Sequence, residues 1–284
     1  MFNIEKFVKL RKSKNLSQTQ LSQGICTQAT LSKFENEGRP PSIKILSQLC
    51  ERLGISIGDI MIRSNETPIV MKLHEAGIAC ISSNFTKTYH LLASIEQDEL
   101  SRNEDLTLFN LIIGVYALTC NQDQVKALFH FHAILNNSKI SSNNIYYLLA
   151  MTGCAMTYEE RRDYDSAKKY YAKLKDPIIK VEIASKERLF QVIWILYKTG
   201  KFYGKHNNFK ESNYLLRYAY QIGSQYNETF MMEKILYCLG LNMIAKSSKE
   251  VAVQYLNDAR AFARFSHNQY ILTKTRQMLN KLKE

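Results

Sequence analysis

Apolar residues in the first sixty positions fall at three- and four-residue intervals, broken by short polar stretches. Leu21, Ile25, Leu31 and Phe34, followed by Ile43, Leu46, Leu49 and Leu53, describe short helices that can bury their apolar faces only against one another. Ser17 stands before QTQLSQ and Thr27 before QATLSKF, each placed to accept hydrogen bonds from the first free amides of a helix. Gly24 lies between them, where a tight turn calls for positive φ. From about residue 69 onward almost everything keeps a helical period; Pro177 is the one further proline, and nothing reads as a strand. The polar run from Arg63 to Pro68 ends in a residue that disfavours helix in its predecessor. The pattern therefore predicts an all-α chain, with one domain over residues 1–64 and a larger one over 65–284.

With Leu31 and Phe34 inward, the step of about 100° per residue turns Ala29, Ser32, Lys33 and Asn36 outward, with Gln28 flanking them at the helix start. That face is small, polar and cationic. A DNA major groove admits one helix, and its base edges suit amides and long cations, so Gln28 and Lys33 are the candidate base readers. Arg11, Ser17, Gln18 and Thr27 lie at or near helix starts, where hydroxyls, amides and free N–H groups hold phosphates. The competing reading is a solvated helix in some other bundle. LSQTQLS followed by TQATLSKFE resembles the Cro/repressor (XRE-type) helix-turn-helix family over roughly the first 60 residues. One departure is visible. The family commonly has Gly two residues after the Glu, whereas here Glu35 is followed by Asn36, Glu37 and then Gly38, which predicts a different loop after the recognition helix.

The larger region repeats itself. Gly200, Tyr203, Ser212 and Ala219 recur forty residues later as Gly240, Met243, Ala252 and Ala259; a shift of 45 residues the other way meets Ala155, Tyr158 and Ala167. Looser copies place Tyr116 and Val125 in the same frame and run through Phe85 to Ile95. Small residues at the first and third anchors let two antiparallel helices approach closely, and each such hairpin must stack on its neighbours to bury its faces. The spacing resembles the tetratricopeptide repeat in elongated, degenerate form, with a plain irregular helical bundle as the alternative.

Charge and composition bound the chemistry. The net charge is +12, with ten Lys or Arg against five Asp or Glu in residues 1–65, so the basic excess is shared by both parts. It supports nucleic-acid contact in the first and admits an anionic ligand in the second. Six scattered cysteines without a CxxC pair read as reduced thiols used as small core residues. His130 and His132, two apart, fall on different helix faces and do not share a metal. No signal-peptide core and no long apolar span occurs, so a cytoplasmic protein is expected. The sequence has no Gly-rich phosphate loop, GxSxG or HExxH, so neither an enzyme nor a cofactor is expected.

An XRE-type module followed by about five degenerate helical repeats is similar to the Rgg and PlcR family of peptide-pheromone regulators (RRNPP), and QLSQGICTQATLSKFEN with PPSIKILSQLCERL carries the likeness. The resemblance implies a homodimeric quorum-sensing transcription regulator whose repeat domain binds a short signalling peptide and alters how paired domains engage promoter DNA. In the tetratricopeptide arrangement the first helix of each pair lines the inner surface. Projecting that arrangement nominates Asn110; Thr152 and Met156; Trp194, Tyr197 and Lys201; and Lys234, Tyr237 and Leu241 as peptide contacts. Asn110 interrupts an apolar run and would want a partner, while Lys201 and Lys234 are suited to a peptide carboxylate. The alternative for each aromatic is ordinary inter-repeat core. RAFARFSHNQYILTKTRQML, ending the stack, is a candidate dimer surface or a cap. Two other functions remain open: a phage or mobile-element repressor whose helical part only oligomerises or binds a protein, and a scaffold that has lost DNA binding.

Overall fold

The computed structural model describes residues 2–60, 67–100 and 102–282, and every regular element among them is helical. The chain divides into two compact units, Met1–Met71 and Lys72–Glu284. The expected junction at Arg63–Pro68 lies, up to Glu66, outside the described residues.

Four helices build the first unit: α1 (Ile4–Ser13), α2 (Gln18–Ser22), α3 (Gln28–Glu37) and α4 (Ile43–Arg52). Ser17 and Gln20 close a reciprocal capping box on α2, and the Thr27 and Ser42 hydroxyls accept from Thr30 N and Ile45 N at the starts of α3 and α4. Gly24 holds the turn at φ 74°, and Gly38 ends α3 at φ 72° with its N–H on the Phe34 carbonyl. The helix thus runs through Asn36 and Glu37, and the extra residue ahead of Gly38 lengthens the last turn. Phe7, Leu21, Leu31, Phe34, Leu46, Leu49, Cys50 and Leu53 form the core, each large side chain contributing about 1.5–3 kcal/mol by leaving water. Ile43 is a correction. It is 78% exposed, because the first residue of α4 overhangs the core and Ile45 packs against it in its place.

The second unit is a run of helical hairpins. α5 (Pro68–Ile81) pairs with α6 (Phe85–Leu92), α7 (Asn103–Thr119) with α8 (Gln124–Leu135), α9 (Ile145–Glu160) with α10 (Tyr164–Ile179), α11 (Lys186–Lys205) with α12 (Phe209–Gln225), and α13 (Met232–Ala245) with α14 (Lys249–Phe265); α15 (Gln269–Lys281) follows. One turn joins the two helices of every pair and recurs before α15. A left-handed residue, in order Ser83, Gln122, Arg162, Asn207, Ser247 and His267, reverses the chain at φ between 53° and 64°. The next residue, Asn84, Asp123, Asp163, Asn208, Ser248 or Asn268, turns its N–H back onto a carbonyl of the preceding helix, as Asn208 does on Tyr203 at 2.9 Å. All of these except Ser248 also cap the new helix with their side chains. Part of both sets of free helix-end groups is thereby satisfied.

Four residues into each second helix of a pair sits a small, fully buried side chain: Thr88, Ala127, Ala167, Ser212 and Ala252. Val125 is therefore not the anchor of its repeat. It is 73% exposed, and Ala127 holds the position two residues on. The first anchors act as the spacing predicts. A Cβ on Gly200 would stand 2.8 Å from Leu216 Cγ, and one on Gly240 3.0 Å from Leu256, while the Ser212 hydroxyl donates to the Gly200 carbonyl at 2.7 Å. The first helices of successive pairs also pack side by side, α7 on α9, α9 on α11 and α11 on α13, with α15 beside α13. Cys50, Cys80, Cys154 and Cys238 are buried as small core residues, whereas Cys120 is exposed.

Candidate functional site

On α3, Gln28, Ala29, Lys33 and Asn36 are exposed and Ser32 partly so, while Leu31 and Phe34 are fully buried. The helix therefore presents the polar face expected of it. A chain of hydrogen bonds runs behind that face. Arg11 donates through Nε and Nη2 to the two oxygens of Glu35, at 2.7 and 2.8 Å. Gln18 Nε2 donates to the same carboxylate at 2.8 Å, and Gln28 Nε2 donates to Gln18 Oε1 at 2.7 Å. Glu35 on α3 thus fixes a residue of α2, which in turn fixes the first side chain of α3. At the other end, Asn36 Nδ2 donates to Ser32 Oγ at 3.0 Å. Gln28 and Asn36 are held as oriented amides, and Lys33 is exposed beside them on the same face.

Arg11 departs from the expected role. Its side chain is only 10% exposed and Nη1 meets the Leu16 carbonyl at 2.6 Å, so each of its three nitrogens is engaged inside the unit and its main task there is structural. Ser17 and Thr27 are exposed with their hydroxyls engaged in capping. In these caps the hydroxyl oxygens accept, so the Ser17 O–H remains a donor for an anion beside the free amides of the helix start.

In the second unit the face of a first helix turned away from its partner is set by the anchors. Gly200 meets α12, so residues two positions removed point roughly 200° away. Trp194, Lys198 and Lys201 lie on that inner side of α11, and Lys234, Cys238 and Leu241 hold the equivalent side of α13. An apolar hollow of about 20 Å³, room for a single water, lies between Gly77 and Cys80 of α5, Leu108, Leu111 and Ile112 of α7, Leu149 of α9 and Trp194 of α11.

Asn110 is a correction. It sits two residues from both Leu108 and Ile112 and so faces the other way, towards α8, where its Oδ1 lies 2.8 Å from His130 Nδ1 and its Nδ2 donates to the Leu106 carbonyl. The half-buried amide has its partner within the fold. Burial, then the nearby Lys126, pushes the His130 imidazole below its usual range, which suits the neutral tautomer that shares this bond. Thr152 is a second correction. It is fully buried with its hydroxyl on the Leu148 carbonyl, so in this packing of the helices it presents no surface to a ligand. Met156, Trp194 and Tyr197 are buried with small exposed edges, while Lys201, Lys234, Tyr237 and Leu241 are partly open.

Lys198 is the residue the projection missed. Its Nζ lies 5.4 Å from the centre of the Trp194 ring, as Lys201 Nζ lies 5.9 Å from that of Tyr197. Burial, then the charges of Lys201 and Lys234, holds the Lys198 ammonium down at about 8. The spacing of Trp194, Tyr197, Lys198 and Lys201 at three, four and seven residues carried the signal.

Among the described residues no helix is long and apolar enough to cross a membrane. Residues 8–60 match a helix-turn-helix family model, so the first unit is a helix-turn-helix domain. No curated protein sequence matches the chain as a relative. Solved structures do share its fold. PlcR from Bacillus thuringiensis, in complex with the peptide PapR7 and DNA, is similar with a TM-score of 0.58 at 19% identity, covering 98% of each chain. ComR from S. thermophilus, in complex with DNA and its signalling peptide ComS, gives 0.60 at 14% over 98% of this chain and 99% of that one. ComR from Streptococcus vestibularis with its cognate signalling peptide XIP gives 0.58 at 15% over 99% and 98%.

Proposed function

We propose that this chain is a cytoplasmic transcription regulator that binds promoter DNA through its helix-turn-helix as a homodimer and is controlled by a short signalling peptide held on the inner face of its repeat unit. The observation that carries the reading is the outward face of α3, where Gln28 and Asn36 are held as oriented amides and Lys33 is exposed beside them. Amides recognise adenine edges and lysine recognises guanine, and oriented side chains lose less freedom on binding. One such helix covers only a few base pairs, and a two-fold dimer doubles the contact over half-sites about one helical turn apart. The PlcR and ComR structures that share the fold hold both DNA and a peptide, which supports the second half.

The hollow between α5, α7, α9 and α11 is too small for an oligopeptide. On this reading the peptide enters by parting helices, which gives a ligand the leverage to change the molecule's state. Pools of short synthetic peptides added to the full chain test the proposal. A pool containing the ligand raises the unfolding free energy by about 2.7 kcal/mol at a hundredfold excess over its Kd, and it shifts affinity for a duplex in a mobility assay. Duplex binding that no peptide alters, alongside no thermal shift, would favour the repressor whose helical part only oligomerises.

A further inference from the structure

We propose that Lys198, Lys201 and Lys234 form a seat for a carboxylate of the bound peptide, with Trp194 and Tyr197 as its aromatic wall. This rests on the peptide-binding reading above and adds the chemistry of the ligand.

The placement follows from packing. Gly200 and Gly240 turn towards α12 and α14, which leaves Lys198 roughly opposite Gly200 on α11 and Lys201 and Lys234 on the adjoining flanks, about 100–120° round from their glycines. The two helices are direct neighbours. Among the described residues none of the three ammonium groups has a carboxylate within ion-pair distance, although each is partly buried. Glu159 and Glu160 at the end of α9 are near enough to act on Lys198, but Glu159 is already paired with Lys205. Glu233, beside Lys234, is buried and accepts from Asn268 at 3.0 Å. From α5, Cys80 faces Lys198 as a thiol pushed up to about 12, chiefly by burial, and so carries no charge.

Two of the three cations lie over aromatic rings, an arrangement that holds a positive charge while leaving its donors free. Three mutually repelling ammonium groups in one half-buried place are stabilised by whatever anion enters. The adjoining hollow is lined mainly by apolar side chains, with Glu187 and Gln191 of α11 also in its lining, so the anion that fits arrives on a largely apolar chain and is held at the lysines rather than in the hollow. A peptide supplies it in two ways, from its C-terminus or from an Asp or Glu side chain.

Linkage gives the design a pH signature. A carboxylate favours the charged form of Lys198, so binding pulls a proton on and is strongest below pH 8, where the free ammonium is already charged. Affinity then falls up to about tenfold per pH unit above that point until the bound form titrates.

The test uses the full chain, whose single tryptophan is Trp194, with binding followed by its fluorescence and by calorimetry. The probes are short apolar synthetic peptides as free acids, the same peptides amidated at the C-terminus, amidated peptides carrying Glu or Gln, and inorganic phosphate. The expected result is tighter binding of the free acids by tenfold or more at pH 7, lost on amidation and lost equally in Lys198→Met. That variant should keep or raise the melting temperature, since it removes a buried like charge, and should no longer distinguish acid from amide. Binding that survives amidation and needs Glu in place of Gln assigns the side-chain source and equally supports the seat. Equal affinity for acid, amide, Glu and Gln peptides, flat with pH, overturns the seat while leaving peptide binding intact. A response to phosphate with none to any peptide overturns the peptide reading and this proposal with it.

Discussion

Arg11 shows how one side chain decides between anchoring a fold and contacting a ligand. Its guanidinium and the Glu35 carboxylate form a two-bond pair with side chains 10% and 3% exposed, and removing either partner leaves an uncompensated buried charge. Arg11→Ala should therefore destabilise the first unit by about 3–5 kcal/mol, read as loss of its transition in urea, with DNA binding lost as a consequence. Lys33 is the reverse case, exposed and with no internal bond among the described residues. Lys33→Glu should leave the melting temperature unchanged and weaken duplex binding by at least 1–3 kcal/mol, roughly tenfold or more; an unweakened, folded variant would remove α3 from the groove. Both residues look alike in sequence as basic positions near a polar face. What separates them is Glu35, twenty-four residues from Arg11, a pairing that local spacing does not express. Asn110 repeats the point, since its partner His130 lies on the next helix.

At the scale of elements one left-handed turn closes each of the five helix pairs and recurs before α15. Non-glycine residues in the left-handed region cost about 1–2 kcal/mol each, and Arg162 occupies one at φ 61° while exposed. Arg162→Gly should stabilise the second unit by up to about 1 kcal/mol, after the entropy cost of glycine, whereas Arg162→Val should destabilise it; denaturant midpoints of the two variants, falling on opposite sides of the parent, check the claim. The close approach at Gly200 predicts the same sense for size. Gly200→Val forces Leu216 aside and should cost about 1–3 kcal/mol. Helices and their pairing were legible because caps, small anchors and apolar spacing recur in the sequence. The frame of the second repeat was not, because Val125 and Ala127 are both small enough to fit a degenerate pattern and only burial distinguishes them. Lys198 escaped for a related reason: a motif carried over from a shorter repeat names positions, and elongated helices offer additional ones on the same face.

On the proposed function, the whole molecule joins a unit that reads DNA to a unit that senses a ligand, and the groove face of α3 is the centre on which both roles depend. Selection of the full chain against a random duplex library tests that centre directly and requires no known operator. The parent should enrich a two-fold symmetric sequence, with affinity falling steeply as salt rises because phosphates are neutralised on binding. Gln28→Ala should keep the half-site spacing and lose preference at one position in each half, as expected of an amide that reads a base edge. Enrichment of the same sequence by the parent and Gln28→Ala, or no enrichment by the parent at all, would contradict the claim.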